Sequence, residues 1–119
     1  MFNHALGAKI SYAKHKEFKV GAYLETNQHG LFAGNVEHAN SRLTMCAEML
    51  ALAQCKMFGL TPVHLHVTSD SSKPIFPCGV CRQYASEFPK LKVTSYNNDG
   101  TKKITKTISQ LFPNPFRRN

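Results

Sequence analysis

The sequence predicts an α/β fold in which helices lie against a mixed β-sheet. Segments with apolar residues at helical spacing alternate with strand-like segments, in the order helix, strand, strand, helix, strand, helix, strand, strand, short helix. Turn residues at positions 27–30 and 97–100 each separate two strand-like segments and indicate two hairpins. The 119 residues are enough for one shared core, so we expect residues 1–119 to form a single domain.

The N-terminal half of the chain is predicted to contain two helices and one hairpin. Apolar residues at roughly helical spacing predict a helix over residues 2–16. Residues 18–24 and 31–35 have the composition of strands and are joined by the first turn. The second helix is predicted to begin after Thr44, which suits an N-cap, and to end at Gly59.

The C-terminal half continues the alternation of strands and helices. In chain order, the predicted elements are a strand at 63–68, a helix at 78–88, strands at 91–96 and 102–105, and a short helical turn at 108–112. A loop rich in Ser and Pro precedes the helix that starts near Cys78. The second and third helices therefore each begin beside a cysteine motif.

Two short motifs supply three thiols and one carboxylate. Cys-Ala-Glu occupies positions 46–48, and Pro-Cys-Gly-Val-Cys occupies positions 77–81. A helix N-terminus stabilises a thiolate, so Cys46, Cys78 and Cys81 are suited to bind Zn²⁺. Three protein ligands leave a coordination position for water, and Glu48 beside it can move protons. This pattern is typical of the zinc deaminases and predicts a catalytic metal site.

Other interpretations of the cysteines and histidines are weaker. The Cys-x-x-Cys spacing also fits a redox pair, but Cys46 offers a third sulfur in a similar setting. A purely structural zinc site would need a fourth ligand, and no residue is clearly spaced for that role. We expect Cys55 to be a small buried side chain. His64 and His66 share a strand face and could bind a metal, although ordinary strand residues are the favoured interpretation.

Charge and hydropathy limit the cellular setting. Fifteen Lys and Arg against seven Asp and Glu give a formal net charge of +8, which suggests either a polyanion partner or a solvated basic surface. The scattered basic residues favour a solvated surface. No apolar run approaches the ~20 residues needed to span a bilayer. No signal-peptide pattern is visible at the start, so we expect a cytoplasmic protein with metal-binding or catalytic thiols.

At these motifs the chain closely resembles the small, homotetrameric, three-cysteine cytidine deaminases. The matching stretches are Phe-Lys-Val-Gly-Ala at 18–22, Asn-Val-Glu at 35–37, Pro-Cys-Gly-Val-Cys-Arg-Gln at 77–83 and Leu-Phe-Pro-Asn-Pro-Phe at 111–116. The resemblance implies a three-layer α/β/α fold around a five-stranded mixed sheet, one Zn²⁺ per subunit, and a homotetramer with active sites at subunit interfaces. It also implies hydrolysis of cytidine and deoxycytidine to uridine and deoxyuridine plus ammonia, in pyrimidine salvage.

The resemblance assigns roles to individual residues. Glu48 would carry protons to the base, and Asn35 and Glu37 would bind the sugar hydroxyls. The remaining assignments are Phe18 packing on the nucleoside, the backbone of Ala47 and Phe76 at the base edge, Phe116 of a neighbouring subunit covering the base, and Arg82 and Gln83 next to the zinc ligands. From the residues alone, ordinary core packing is the favoured interpretation for both Phe18 and Phe116.

One position departs from the family pattern. These enzymes usually have an arginine directly after Cys-Ala-Glu, where it hydrogen-bonds the thiolates, and this chain has Met49. We expect Arg82 to take over part of that role and the bound zinc to be more electron-rich. Slower turnover would follow.

Two other functions compete with this interpretation. Residues 42–48 also resemble blasticidin S deaminases, which act on a larger cytosine antibiotic and lack the same arginine, whereas Asn35 and Gln83 favour cytidine. Deamination of modified cytidines is a related alternative. The charge of +8 suggests an RNA-binding or RNA-editing module. We disfavour a nucleic acid partner because the chain lacks an interleaved aromatic and basic stripe.

Overall fold

The computed structural model describes residues 2–9, 18–40 and 43–117. Its elements are α1 (Phe2–Gly7), β1 (Val20–Thr26), β2 (Gly30–Gly34), α2 (Ala47–Met57), β3 (Pro62–Ser69), α3 (Gly79–Ala85), β4 (Lys92–Tyr96), β5 (Lys103–Thr107) and α4 (Ile108–Leu111). Their order confirms the predicted succession of helices and strands. Within these described ranges, every helix is too short or too polar to cross a membrane.

The five strands form one mixed sheet in the order β2-β1-β3-β4-β5. β1 is antiparallel to β2 and β3, β4 is antiparallel to β5, and β3 and β4 are parallel. The two predicted hairpins are the β1–β2 and β4–β5 pairs. Gly100 closes the second turn with a φ of +78°, a conformation that glycine adopts without strain. α3 lies in the connection between the parallel strands β3 and β4, as such crossovers require.

The helices cover both faces of the sheet. Successive strand residues point to opposite faces, so Gly21 and Ala22 face different layers. A side chain at Gly21 would clash with the backbone of Ala5 in α1. Ala22 instead belongs to the buried core that includes Leu52 of α2. The three-layer arrangement and the five-stranded mixed sheet are therefore as predicted.

The first helix and the start of α2 differ from the sequence predictions. α1 ends at Gly7, and residues 10–16 of the predicted helix lie outside the described residues. Thr44 was wrongly predicted as an N-cap, because α2 begins at Ala47 with Cys46 as its N-cap. Val36 and Met45 pair as an antiparallel bridge, with N–H···O distances of 2.9 and 2.8 Å. This bridge keeps the chain extended up to Cys46, which a local capping preference cannot predict.

α3 also ends earlier than predicted, at Ala85 instead of residue 88. The Ser86 hydroxyl donates to the Gln83 carbonyl at 2.6 Å and so competes with the helical hydrogen bonds. Pro89 follows shortly after, and a proline disfavours helical conformation at the residue before it. The helix is therefore just long enough to carry the second cysteine motif.

Candidate active site

Two helix N-termini bring the cysteines together. Cys46 is the N-cap of α2, Cys78 is the N-cap of α3, and Cys81 lies in the first turn of α3. α2 is fixed on the sheet by the fully buried Ala51 and Leu52. The free N–H groups and the positive dipole end of each helix favour negative charge on these sulfurs.

The spacing of the sulfurs fits a zinc ion. The Sγ atoms of Cys46 and Cys78 are 3.9 Å apart, and those of Cys78 and Cys81 are 3.8 Å apart. Two sulfurs bound to one tetrahedral zinc at ~2.3 Å would be about 3.8 Å apart. Among the described residues, the group of mutually close ligand atoms at this place consists of these three sulfurs. A fourth coordination position is therefore left for a small molecule.

The thiols influence one another's acidity. Hydrogen bonding from Cys81 lowers the pKa of Cys46 to about 6, against the opposing effect of burial. The same hydrogen bond, together with burial, raises the pKa of Cys81. Cys46 is therefore the more acidic of these two thiols, and Cys81 gives up its proton when a cation replaces it.

Glu48 is a buried carboxyl group one residue into α2. Glu48 is only 7% exposed to solvent. Burial raises the pKa of Glu48 to about 7, against a backbone hydrogen bond that lowers it, and the negative charge on Cys46 adds to the rise. A carboxyl group with a pKa near neutrality can both accept and donate a proton during a reaction.

Glu48 and two of the cysteines line a small cavity of about 290 Å³. Its walls are formed by Phe18, Val20, Asn35, Glu37, Thr44, Cys46, Ala47, Glu48, Ile75, Phe76 and Cys78. The structure thus brings six of the residues singled out for substrate binding or catalysis to the same place as the cysteines. The volume is near the lower end of the ~300–1,000 Å³ typical of ligand pockets and suits a small molecule.

Asn35 and Glu37 form a rigid polar wall of this cavity. Asn35 accepts a hydrogen bond from the N–H of Val20 at 2.9 Å and donates to the Phe18 carbonyl at 2.9 Å. It also donates to Oε1 of Glu37 at 3.1 Å. Oε2 of Glu37 is buried and has no hydrogen-bond partner among the described residues. A buried carboxylate oxygen needs a donor, so this wall suits a ligand that carries a hydroxyl group.

Among the residues predicted to bind substrate, Phe116 is the one that lies outside this cavity. It is 76% exposed, and its backbone is held by the side chain of Gln83, with both hydrogen bonds at 2.9 Å. These residues border a wider cavity of about 870 Å³ along α3, which Lys56 and Tyr84 also line. Gln83 therefore anchors the C-terminal segment of its own chain.

Arg82 supports the second cysteine motif from outside. Its guanidinium donates to the Pro77 carbonyl at 2.7 Å and to the Leu111 carbonyl at 3.0 Å. The two hydrogen bonds fix the residue before Cys78 and the end of α4. The structure thus gives Arg82 a positioning contact to the backbone, where the sequence analysis expected a contact with the thiolates.

Three residues of the cavity wall were not predicted from the sequence: Val20, Thr44 and Ile75. Val20 is two residues after Phe18 in an extended segment, and the period of two places both on one side. That periodicity was a usable signal for Val20. Ile75 lies in a loop whose backbone is fixed by the Ser95 hydroxyl, a contact from a distant strand that no local pattern indicates.

Comparison with known proteins identifies the family. Residues 1–96 match the model of the cytidine and deoxycytidylate deaminase zinc-binding region. The cytidine deaminase of Halalkalibacterium halodurans is 33% identical over 109 residues, which are 89% of this chain and 83% of that protein. The cytidine deaminase of Mycoplasma genitalium is 30% identical over 115 residues, 93% of this chain and 88% of that protein.

A solved structure agrees with these sequence relatives. The crystal structure of cytidine deaminase from Burkholderia pseudomallei superimposes with a TM-score of 0.90 at 33% identity, covering 97% of this chain and 95% of that chain. Three observations indicate the same family: the five-stranded sheet, the zinc-like spacing of the three sulfurs and the sequence similarity. This chain belongs to the cytidine and deoxycytidylate deaminase family.

Proposed function

We propose that this protein is a zinc-dependent hydrolase that converts cytidine and deoxycytidine to uridine and deoxyuridine with release of ammonia. The observation that carries this proposal is the buried carboxyl of Glu48 in the same small cavity as Cys46 and Cys78. Water adds at C4 of the base, and the exocyclic amine leaves as ammonia, so the overall reaction consumes one water molecule.

Glu48 moves the protons in this reaction. A zinc ion held by Cys46, Cys78 and Cys81 would supply a Lewis acid that makes water a stronger nucleophile near neutral pH. The carboxylate of Glu48 accepts the proton from the attacking water and passes it to N3 of the ring. Glu48 then also protonates the departing amine. Its pKa of about 7 suits both directions of transfer.

Asn35 and Glu37, which line the same cavity, bind the sugar. Asn35 orients Glu37, and the unpartnered Oε2 of Glu37 accepts a hydrogen bond from a sugar hydroxyl. Phe18 packs against the nucleoside. The backbone of Ala47 and the carbonyl of Phe76 meet the polar edge of the base. A buried carboxylate that accepts a hydroxyl discriminates strongly against ligands that lack it.

The complete site requires a neighbouring subunit in this proposal. Phe116 is exposed and absent from the cavity of its own chain, which supports an assembly in which it covers the base in the next subunit. Gln83 holds its backbone in place for that contact. We propose a homotetramer of single-domain subunits with one Zn²⁺ each, acting in pyrimidine salvage in the cytoplasm. The resemblance to the three-cysteine deaminases supports this assembly.

The alternatives are less well supported. The relatives described above are cytidine deaminases, which does not favour a blasticidin S deaminase. An RNA-editing role fits poorly with a cavity of about 290 Å³ with a buried Asn35–Glu37 pair on its wall, because a polymer needs an open groove.

The test is an ultraviolet assay of zinc-loaded protein with cytidine, deoxycytidine and blasticidin S in parallel. We expect both nucleosides to be deaminated and the antibiotic to remain intact. Turnover of blasticidin S alone would assign the protein to the sister activity. No turnover of any of the three, with zinc bound, would contradict the proposal and direct attention to modified cytidines and RNA.

A further inference from the structure

A second cluster of metal-binding side chains lies on the α1 face of the sheet. β1 and β3 are antiparallel, and their register places Glu25 directly opposite His64. His66 is two residues further along β3, so it points to the same face. Cross-strand neighbours of this kind have Cβ atoms ~5 Å apart. Leu24 and Leu65, which alternate with these residues, belong to the core on the other face.

The ligand atoms of this cluster converge. Oε2 of Glu25 is 3.2 Å from Nε2 of His66 and 3.7 Å from Nδ1 of His64. All three atoms lie within 4.8 Å of one another. Nitrogen and oxygen ligands at ~2.1 Å from one ion are separated by about 3.0–3.4 Å in octahedral or tetrahedral geometry. Small side-chain movements would therefore place all three on a common ion.

Each imidazole is held by its outer nitrogen. Nε2 of His64 hydrogen-bonds Oγ1 of Thr94 at 2.6 Å, and Nδ1 of His66 hydrogen-bonds the Tyr96 hydroxyl at 3.1 Å. Thr94 in turn hydrogen-bonds Thr105 at 2.7 Å. Such outer contacts orient metal-binding histidines, and here they turn the other ring nitrogen of each histidine towards Glu25.

The charge state also suits a cation. Burial lowers the pKa of both His64 and His66, against the opposing effect of Glu25. The positive charge of Lys92 further lowers the pKa of His64. Both shifts favour the neutral form of the imidazole, which is the form that offers a lone pair to a metal. The side chains of Glu25 and His64 are 31% and 24% exposed, so water can reach the site and complete the coordination.

We propose that Glu25, His64 and His66 form a second metal site, specific for divalent transition metals such as Zn²⁺, Co²⁺ and Ni²⁺ and separate from the cysteine cluster. Two imidazoles and one carboxylate favour these ions over Mg²⁺ and Ca²⁺, which prefer oxygen ligands alone. A bound ion would join β1 to β3 and stabilise the folded chain through ligand linkage. The cluster lies on the opposite face of the sheet from α2, so it plays no direct part in the deamination chemistry.

The experiment is a Zn²⁺ titration by calorimetry of protein already loaded with one equivalent of zinc in the cysteine site. The wild type is expected to bind a second equivalent. Glu25→Gln and His64→Gln are expected to lose it while keeping the first, and His29→Gln, an exposed histidine outside the cluster, is the matched control that keeps both. Thr94→Val keeps all three ligands but removes the hydrogen bonds of Thr94 to His64 and Thr105, and it should weaken the second site by about 10- to 100-fold.

Nuclear magnetic resonance of the imidazole protons gives an independent readout. The second equivalent of Zn²⁺ should shift the imidazole signals of His64 and His66 and leave those of His29 unchanged. A wild type that binds a single zinc, or a second equivalent retained in both Glu25→Gln and His64→Gln, would overturn the proposal. Neither result depends on activity, so the proposed deaminase function stands or fails separately.

Discussion

The side-chain amide of Asn35 holds the carboxylate of Glu37 by donating a 3.1 Å hydrogen bond to Oε1. Asn35 is itself fixed by the backbone of Val20 and Phe18 at the start of β1. The pairing leaves Oε2 of Glu37 buried and without a partner among the described residues. The pair is therefore an acceptor prepared before any ligand arrives.

Glu37→Gln tests this acceptor. Loss of a charge-assisted hydrogen bond costs about 1.5–3 kcal/mol, so kcat/KM for cytidine should fall by about 10- to 100-fold. The internal control is a nucleoside without sugar hydroxyls at the 2′ and 3′ positions, for which wild type and variant should be nearly equal. An equal loss on both substrates would mean that Glu37 does not bind the sugar.

Cys81→Ser and Cys55→Ser form a matched pair for the metal site. Both cysteines are buried, but Cys55 donates to the Leu60 carbonyl at 3.2 Å, away from the sulfur cluster. Cobalt-substituted protein should show near-ultraviolet sulfur-to-cobalt absorption, strongly reduced in Cys81→Ser and unchanged in Cys55→Ser. Equal spectra in the two variants would contradict the assignment of Cys81 as a ligand.

Met49→Arg tests the departure from the family pattern. Met49 lies in the first turn of α2, one residue after Glu48, and an arginine there could offset the negative charge of the three thiolates. We expect kcat to rise by up to about tenfold, equivalent to about 1.4 kcal/mol. Met49→Leu is the neutral control. A kcat for Met49→Arg that is unchanged or lower would mean that the missing charge does not limit turnover.

Asp70 gives a pH-dependent contribution to stability. Its carboxylate pairs with Lys9 at 2.8 Å and accepts from the backbone N–H of Lys19 at 2.8 Å. The contact with Lys9, followed by that with Lys19, lowers the pKa of Asp70. A lowered folded-state pKa stabilises the protein above the ordinary carboxyl pKa, and this contribution is lost as pH falls through the folded-state value.

Asp70→Asn should therefore be less stable than wild type at pH 7, by about 1 kcal/mol or less because the Asp70 side chain is exposed to solvent. The difference between the two proteins in urea unfolding should shrink as pH falls below the ordinary carboxyl pKa of ~4. Lys9→Met completes a double-mutant cycle, in which the second substitution should add little to the first. A difference that persists at low pH would assign the effect of Asp70 to something other than its charge.

Local patterns predicted most of the fold because its turns are local. The turn at 97–100 and the helical spacing after Cys46 needed no long-range information. The start of α2 could not be predicted, because the Val36–Met45 bridge that sets it is made by backbone groups, which leave no local side-chain pattern. The three cysteines and Glu48 were predictable as a set because their spacing is itself the motif.

Contacts between strands that are far apart in the sequence could not be predicted from local patterns. β1 pairs with β3 although β2 and α2 lie between them in the sequence. Only the register of this pairing places Glu25 opposite His64. From the sequence alone, His64 and His66 are therefore interpreted as ordinary strand residues. The hydrogen bonds between Gln83 and the backbone of Phe116 depend in the same way on where the C-terminal segment folds.

Glu48→Gln is the measurement that tests the central claim most directly. The substitution keeps the size of the side chain and abolishes its ability to transfer protons. The control is Glu87→Gln, which changes an exposed glutamate on the surface. With equal zinc in both proteins, cytidine deamination by Glu48→Gln should fall by about 10²- to 10⁴-fold, and Glu87→Gln should match wild type. A zinc-loaded Glu48→Gln protein with activity near that of wild type would contradict the account.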